Sequence, residues 1–327
     1  MKLTKSQISA INKIFEVLEL GKVEDTKILD SSQNTVYKVT TDKKEYVLKE
    51  YSKDAIRNEY ELNKRKRQIS VSEKYSQNGI PTILPLKFNN RNFIKYKNRY
   101  YLVYDYLDYQ TLTPSELDVK KIRKIANVLA ITHNLNIKSD LPCQYKTIKI
   151  DLNKYLKKYK RLDEKLYKTL YDNYFTLENL ILNCNNSIKY VKTHLCVSHN
   201  DLKLKNILWK KDFMYLIDFD ACAMTNPATA LVECAFSLTK KGNKVDTELY
   251  KEFIKTYLKK YGQLTTSFKD AQQVAMNGKL QWLEYLMGKC SKKDVQAIED
   301  TISMIKELTL YVRKMDELND IYLSLVK

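Results

Sequence analysis

Apolar residues recur at two different periods along the chain, and the change of period divides it. Over residues 4–20, Ile8, Ile11, Phe15 and Leu18 fall on one helical face. Thr4 with Gln7 forms a capping box and Gly21 supplies the stop. Extended patterns follow at 27–29, 34–40 and 45–51, with Thr41-Asp42-Lys43-Lys44 turning between the last two, which predicts a small antiparallel sheet. Lys49 is the only lysine of the strand 46–51, and alternation puts it on one face with Val47 and Tyr51. A helix over 55–78 closes at Asn78-Gly79, and a hairpin over 92–96 and 99–106 turns at Lys97-Asn98. From Thr113-Pro114-Ser115-Glu116, a helix start with proline and a capping box, the period becomes helical. Leu117, Ile122, Ile125, Val128 and Leu129 mark a buried stripe, and His133 extends it as a satisfied core histidine. Helical patterns recur at 155–188, 250–261, 271–287 and 291–315. The fold class expected is α+β.

One polar stretch interrupts the helical part. His199-Asn200-Asp201-Leu202-Lys203-Leu204-Lys205-Asn206 reads as a loop, entered from Val197 and followed by two short strands that turn at Lys210-Lys211-Asp212. The second strand ends in Ile217-Asp218-Phe219-Asp220. Asp201, Asn206 and Asp218 are the polar set that phosphoryl transfer needs: a carboxylate for the attacking hydroxyl, and an amide and a second carboxylate for magnesium. A polar turn followed by a hairpin with an aspartate cap is the plainer reading of the same residues.

Composition adds limits. The chain has 327 residues, few glycines and prolines (6 and 5) and abundant tyrosine, which favours a helix-rich globular protein. No run of eighteen apolar residues exists, and the N-terminus lacks the apolar core of a signal peptide, so a cytoplasmic protein without a membrane span is expected. The six cysteines show no Cys-x-x-Cys spacing and read as reduced core residues. The formal charge of +18 would attract polyanions, but the lysines are spread along the chain. The densest run, Lys64-Arg65-Lys66-Arg67, lies inside a helical pattern and reads as a solvated face, which disfavours a nucleic-acid partner.

Residues 199–220 resemble the catalytic and metal-binding loops of the aminoglycoside phosphotransferase and choline kinase group, which shares the protein-kinase-like fold. That group carries His-x-Asp-x-x-x-x-Asn, a hydrophobic strand, then Ile-Asp-Phe/Trp-Asp/Glu. The resemblance implies two lobes: residues 1–107 with a small antiparallel sheet and the nucleotide, and residues 108–327, mainly helical, with the catalytic loop and acceptor pocket. It implies Asp201 as the base, Asn206 and Asp218 as magnesium ligands, and Lys49 on the nucleotide phosphates, steadied by Glu59. Lys203 matches the lysine that many serine/threonine kinases keep for the transferring phosphate, although a solvent lysine is an equal reading. Residues 30–34 stand where the group has a glycine-bearing phosphate loop, and Ser31, Ser32 and Asn34 would have to donate instead. Asp105 and Leu107 would offer backbone groups to the adenine edge.

Other positions depart from the pattern. Asn200 replaces the glycine usual in aminoglycoside kinases and is closer to the choline and ethanolamine kinase branch. In the segment after Asp220, Ala230 stands where the group has a buttressing aspartate, and Glu233 is a candidate substitute. Asp218-Phe219-Asp220 in place of Asp-Phe-Gly, and no Ala-Pro-Glu landmark, argue against a protein kinase. Trp282 and Tyr285, three apart on a helix, suit either core packing or a cage for a quaternary ammonium. The function implied is an ATP-dependent (or GTP-dependent), magnesium-dependent phosphotransferase. Its acceptor would be a small-molecule hydroxyl, on an aminoglycoside, an amino alcohol such as choline, or a sugar. A weak or inactive relative of the spore-coat kinase-like type is the alternative, favoured by the glycine-free loop and Ala230. A basic nucleic-acid binder rests on charge alone.

Overall fold

The computed structural model describes residues 3–30 and 34–326. The chain forms two compact units, Met1–Thr111 with Ile207–Asp220, and Leu112–Asn206 with Ala221–Lys327. The expected division at residue 107 treats everything beyond it as one body, whereas the segment Ile207–Asp220 belongs with the N-terminal unit.

The first unit opens with α1 (Lys5–Val17). Its capping box is formed: the Gln7 amide donates to Thr4 Oγ1 at 3.2 Å, and the Thr4 amide donates to Gln7 Oε1 at 2.8 Å. Gly21 then takes φ +105°, and any side chain there would run into the Asp42 carboxylate. Five strands and a helix follow: β1 (Val23–Asp30), β2 (Thr35–Thr41), β3 (Glu45–Glu50), α2 (Glu59–Gln77), β4 (Ile94–Tyr96) and β5 (Arg99–Asp105). The sheet is antiparallel in the order β1-β2-β3-β5-β4. Lys97 and Asn98 take φ +43° and +59°, the left-handed pair that a tight two-residue hairpin requires.

Both sheet faces are covered. On one, Ile11, Ile14 and Phe15 pack with Tyr37, Val39, Tyr46, Leu48, Tyr101 and Val103. On the other, Tyr51, Ala55, Ile56 and Leu102 pack with Ile69 of α2, and this face carries Lys49. Each such side chain, fully buried, contributes about 1.5–3 kcal/mol. The helix expected from residue 55 begins four residues later because Asn58 caps it, its Oδ1 accepting from the Glu61 amide at 3.0 Å.

The second unit begins with a 3₁₀ turn, Pro114–Glu116, where the expected capping box forms but the helix does not continue. Asp118 then caps α3 (Val119–Asn134). The single pattern at 155–188 is three helices, α4 (Leu152–Tyr159), α5 (Glu164–Asp172) and α6 (Tyr174–Val191), because Asp163 caps a fresh start. After β6 (Cys196–Ser198) and the polar loop, the chain enters the first unit for a hairpin, β7 (Ile207–Lys210) and β8 (Phe213–Leu216). Leu216 donates to the Pro81 carbonyl at 2.9 Å, and Trp209 and Gln110 exchange two backbone bonds, which fixes the hairpin there.

The chain resumes in the second unit with β9 (Ala223–Thr225), which pairs antiparallel with β6. Next come α7 (Pro227–Thr239), β10 (Lys240–Lys241), β11 (Lys244–Val245), α8 (Thr247–Tyr261), α9 (Phe268–Ala275), α10 (Asn277–Lys289) and α11 (Val295–Val326). The pattern expected over 271–287 breaks at Met276, because the Asn277 side chain is tied to the backbone of Lys146. His133 is the core histidine expected: its ring nitrogens bond Tyr257 Oη at 2.8 Å and Ser198 Oγ at 2.9 Å. Burial pushes its pKa down to about 3, so it stays neutral. All six cysteines are unpaired thiols. No helix among the described residues is long and apolar enough to cross a membrane.

Candidate active site

In the first unit, polar chemistry gathers around Lys49 and Asp220. The Lys49 ammonium, carried by β3 into apolar surroundings, lies 2.9 Å from Asp218 Oδ1 and 2.8 Å from Asp220 Oδ2. Burial works against its charge, but the carboxylates of Asp220 and Asp218 outweigh burial and hold its pKa well above the usual range. Asp218 takes φ +61°, which turns the chain so that Phe219 packs edge-on against Tyr75 of α2, centroids 5.7 Å apart. Asp220 is then a hub. Its carboxylate accepts from Tyr51 Oη at 2.8 Å and Asn34 Nδ2 at 3.0 Å. Its carbonyl accepts from Arg65 Nη1 at 2.6 Å and Gln68 Nε2 at 2.7 Å.

These contacts revise several expectations. Glu59 is the exposed first residue of α2, and the ion pairs of Lys49 run to Asp218 and Asp220. The side chains that α2 sends to Asp220 are Arg65 and Gln68. Arg65, read from its basic run as solvated, is 8% exposed. Asn34 is committed on both sides: its Nδ2 donates to Asp220 and its Oδ1 accepts from the Ser52 amide at 3.1 Å. Its side chain therefore clamps the Ser52 backbone to Asp220 through both its oxygen and its nitrogen. Ser31 and Ser32 lie outside the described residues. Asp105 ends β5 with its carboxylate paired to Lys44, and the Leu107 carbonyl accepts from the Tyr109 amide at 2.8 Å.

In the second unit, β6 delivers the polar loop. His199 is buried, and its Nδ1 accepts from the Asp201 amide at 3.3 Å. Asn200 takes φ +57°, the left-handed region most open to glycine and asparagine, which accounts for asparagine at this position. Its Nδ2 donates to the Ala223 carbonyl of β9 at 3.3 Å. Asp201 and Asn206 are brought together by a 3₁₀ turn, Leu204–Asn206. Asn206 Nδ2 donates to Asp201 Oδ2 at 2.7 Å and to the Asp201 carbonyl at 2.8 Å. Those bonds use both amide hydrogens and leave the amide oxygen as an acceptor. An amide oxygen, like a carboxylate oxygen, is a hard donor of the kind magnesium takes, so the residue types expected to hold that ion fit it.

The Lys203 ammonium lies 2.5 Å from Asp201 Oδ1. Burial opposes ionisation of Asp201, but the charges of Lys203, His199 and Lys205 outweigh it and hold the carboxyl below the usual carboxylate range. Asp201 is thus an ionised acceptor, fixed by its neighbours.

Behind this loop stands α7, capped by Asn226. Ala230 is buried, and Glu233 lies one turn further on. Glu233 shares the lining of a cavity of about 20 Å³ with Asn200, Asp201, Lys203 and Ser237. Burial pushes its pKa up to about 7 although Lys279 and Lys203 pull it down. Beyond it, Lys279 bonds the Glu307 carboxylate and Ser237 Oγ, and Lys240 also reaches Glu307. Burial opposes ionisation of Glu307, yet these lysines hold it at about 2. Trp282 and Tyr285 stack at 4.9 Å and are 39% and 47% exposed, so they are not core.

Sequence reasoning missed the hub at Asp220 and the Lys279–Glu307–Lys240 cluster. The i, i+3 spacing of Arg65 and Gln68 was the available signal for the first.

No curated protein sequence matches the chain. Among solved structures, a spectinomycin phosphotransferase in complex with ADP and spectinomycin aligns with TM-score 0.70 at 12% identity, covering 96% of this chain and 100% of that one. A choline kinase from Cryptosporidium parvum Iowa II aligns with TM-score 0.55 at 17% identity, over 98% of each chain. The choline kinase LicA from Streptococcus pneumoniae aligns with TM-score 0.58 at 16% identity, over 93% and 99%. These likenesses establish the fold as protein-kinase-like. The profile of the phosphotransferase enzyme family matches residues 25–269, from β1 into α9. The chain belongs to that family.

Proposed function

We propose that this protein is a magnesium-dependent kinase that transfers the terminal phosphoryl group of ATP, or GTP, to a hydroxyl of a small molecule. The observation that carries the reading is the loop at Asp201: an ionised carboxylate oriented by Asn206, on a backbone amide held by His199, with an ammonium at its side. Magnesium, held by the oxygens of Asn206 and Asp218, would neutralise phosphate charge. Lys49 pairs with the nucleotide phosphates. Asp201 accepts the proton of the acceptor hydroxyl as its oxygen bonds to the terminal phosphorus. The bond to the nucleoside diphosphate breaks, and Lys203 steadies the moving phosphoryl group. A compartment that keeps thiols reduced, the cytoplasm, accords with six unpaired cysteines.

The test is ADP release and phosphorus NMR of products, with aminoglycosides, amino alcohols and sugars as acceptors. Turnover that disappears in Asp201→Asn supports the reading. A second reading, a weak or inactive kinase-like protein, is favoured by the tied amide of Asn34 and by Ala230. Nucleotide binding without turnover on any acceptor would select it.

A further inference from the structure

Glu233 is a half-buried acid that the proposed reaction does not use. It sits on α7 one turn past Ala230 and lines one small cavity together with Asp201 and Lys203 of the loop. The groups facing it are Asp201 and Lys203 of the loop, Lys279 of α10, and Glu307 and Tyr311 of α11, with Cys234 beside it. Lys279 is already bound to Glu307 and Ser237, and Glu307 also carries Lys240. Lys203 is different. Its one ion pair among the described residues is with Asp201, and its side chain is 41% exposed, so it has room to move.

We propose that Glu233 is a positioning residue of the catalytic loop, competing with Asp201 for the Lys203 ammonium and thereby setting how tightly that ammonium closes over the Asp201 carboxylate. A protonated Glu233 carries no charge and leaves Lys203 to Asp201. An ionised Glu233 adds a second carboxylate across the cavity, shares the ammonium, and frees an Asp201 oxygen for an acceptor hydroxyl. The exchange falls near neutrality, because burial holds the Glu233 carboxyl up to about 7. The kinetic consequence rests on the kinase reading; the electrostatic coupling does not.

The experiment follows the side-chain carboxyl signals of Asp201 and Glu233 by carbon-13 NMR through the neutral range. The samples are wild type, Glu233→Gln, Glu233→Asp and Lys203→Met. In wild type the Asp201 signal should show a step at the Glu233 midpoint, weaker in Glu233→Asp and absent in Glu233→Gln. In Lys203→Met the Glu233 midpoint should rise. An Asp201 signal that titrates identically in wild type and Glu233→Gln overturns the proposal. With an active acceptor, kcat should change across the same midpoint in wild type and be flat in Glu233→Gln, with KM for nucleotide unaltered. If wild type phosphorylates nothing, the kinase reading fails while the NMR titration still decides the role of Glu233.

Discussion

The Lys49 ammonium lies 2.9 Å from Asp218 Oδ1, so the lysine on the sheet and the aspartate expected to hold magnesium are directly joined. Asp220 shares the same ammonium. Lys49→Met therefore strands two carboxylates. Breaking a buried pair costs about 3–5 kcal/mol, most of it here from the Asp220 arm, since Asp218 is more exposed and better screened. Urea unfolding should report that loss, and Mg-ATP should no longer raise the melting temperature. An unchanged melting shift would remove Lys49 from the nucleotide site.

Asp201→Asn keeps the shape of the loop and removes the proposed proton acceptor. Turnover should fall by on the order of 10²–10⁴. The melting shift with Mg-ATP should remain, because the role proposed for Asp201 lies with the acceptor and not with the nucleotide. Wild-type turnover in the variant would reject the base role.

Asn34 bridges the Ser52 amide and the Asp220 carboxylate. In Asn34→Ala both partners lose a bond, at a cost of about 1–3 kcal/mol for each group left buried and unpaired. Because its amide is a clamp, KM for nucleotide should stay near wild type while stability drops. A large rise in KM with unchanged stability would mean that the amide serves phosphate after all.

His133 and Glu233 give stability opposite pH dependences. The folded-state pKa of His133, about 3, lies below its ordinary 6.5, so the unfolded chain takes up a proton first as pH falls. Its stabilisation is intact above that ordinary value and is lost progressively toward pH 3. Glu233, about 7 against an ordinary 4.5, keeps its proton where the unfolded chain has released one, so stability declines as pH rises through that window. Glu233→Gln should be more stable than wild type on the alkaline side, by about 2–3 kcal/mol. Chemical denaturation across pH checks both, and equal pH profiles for wild type and Glu233→Gln would contradict the second.

The polar loop was legible because its residues lie on one continuous segment, where the spacing of His199, Asp201 and Asn206 is itself the signal. The capping box at Thr4 and the hairpin at Lys97-Asn98 were legible for the same local reason. The surroundings of Asp220 were not. Asn34, Tyr51, Arg65 and Gln68 come from segments far away in sequence, and a basic run reads alike whether it faces water or turns inward. The pairing of Glu59 with Lys49 is implied by the resemblance alone, and it depends on where the helix begins; Asn58 caps it so that Glu59 is its exposed first residue. Trp282 and Tyr285 show the converse: an aromatic pair at core spacing that stacks at the surface.

The hub at Asp220 also orders events during biosynthesis. Its five side-chain partners named above, Asn34, Lys49, Tyr51, Arg65 and Gln68, lie within the first 68 residues. Asp220 itself leaves the ribosome only after the chain has passed through Leu112–Asn206. Until then the nascent sheet holds a lysine in apolar surroundings without its counter-charges. The N-terminal unit, although translated first, is therefore completed late. A fragment ending at residue 111 would keep every strand of the sheet and lack the acids that make its interior tolerable.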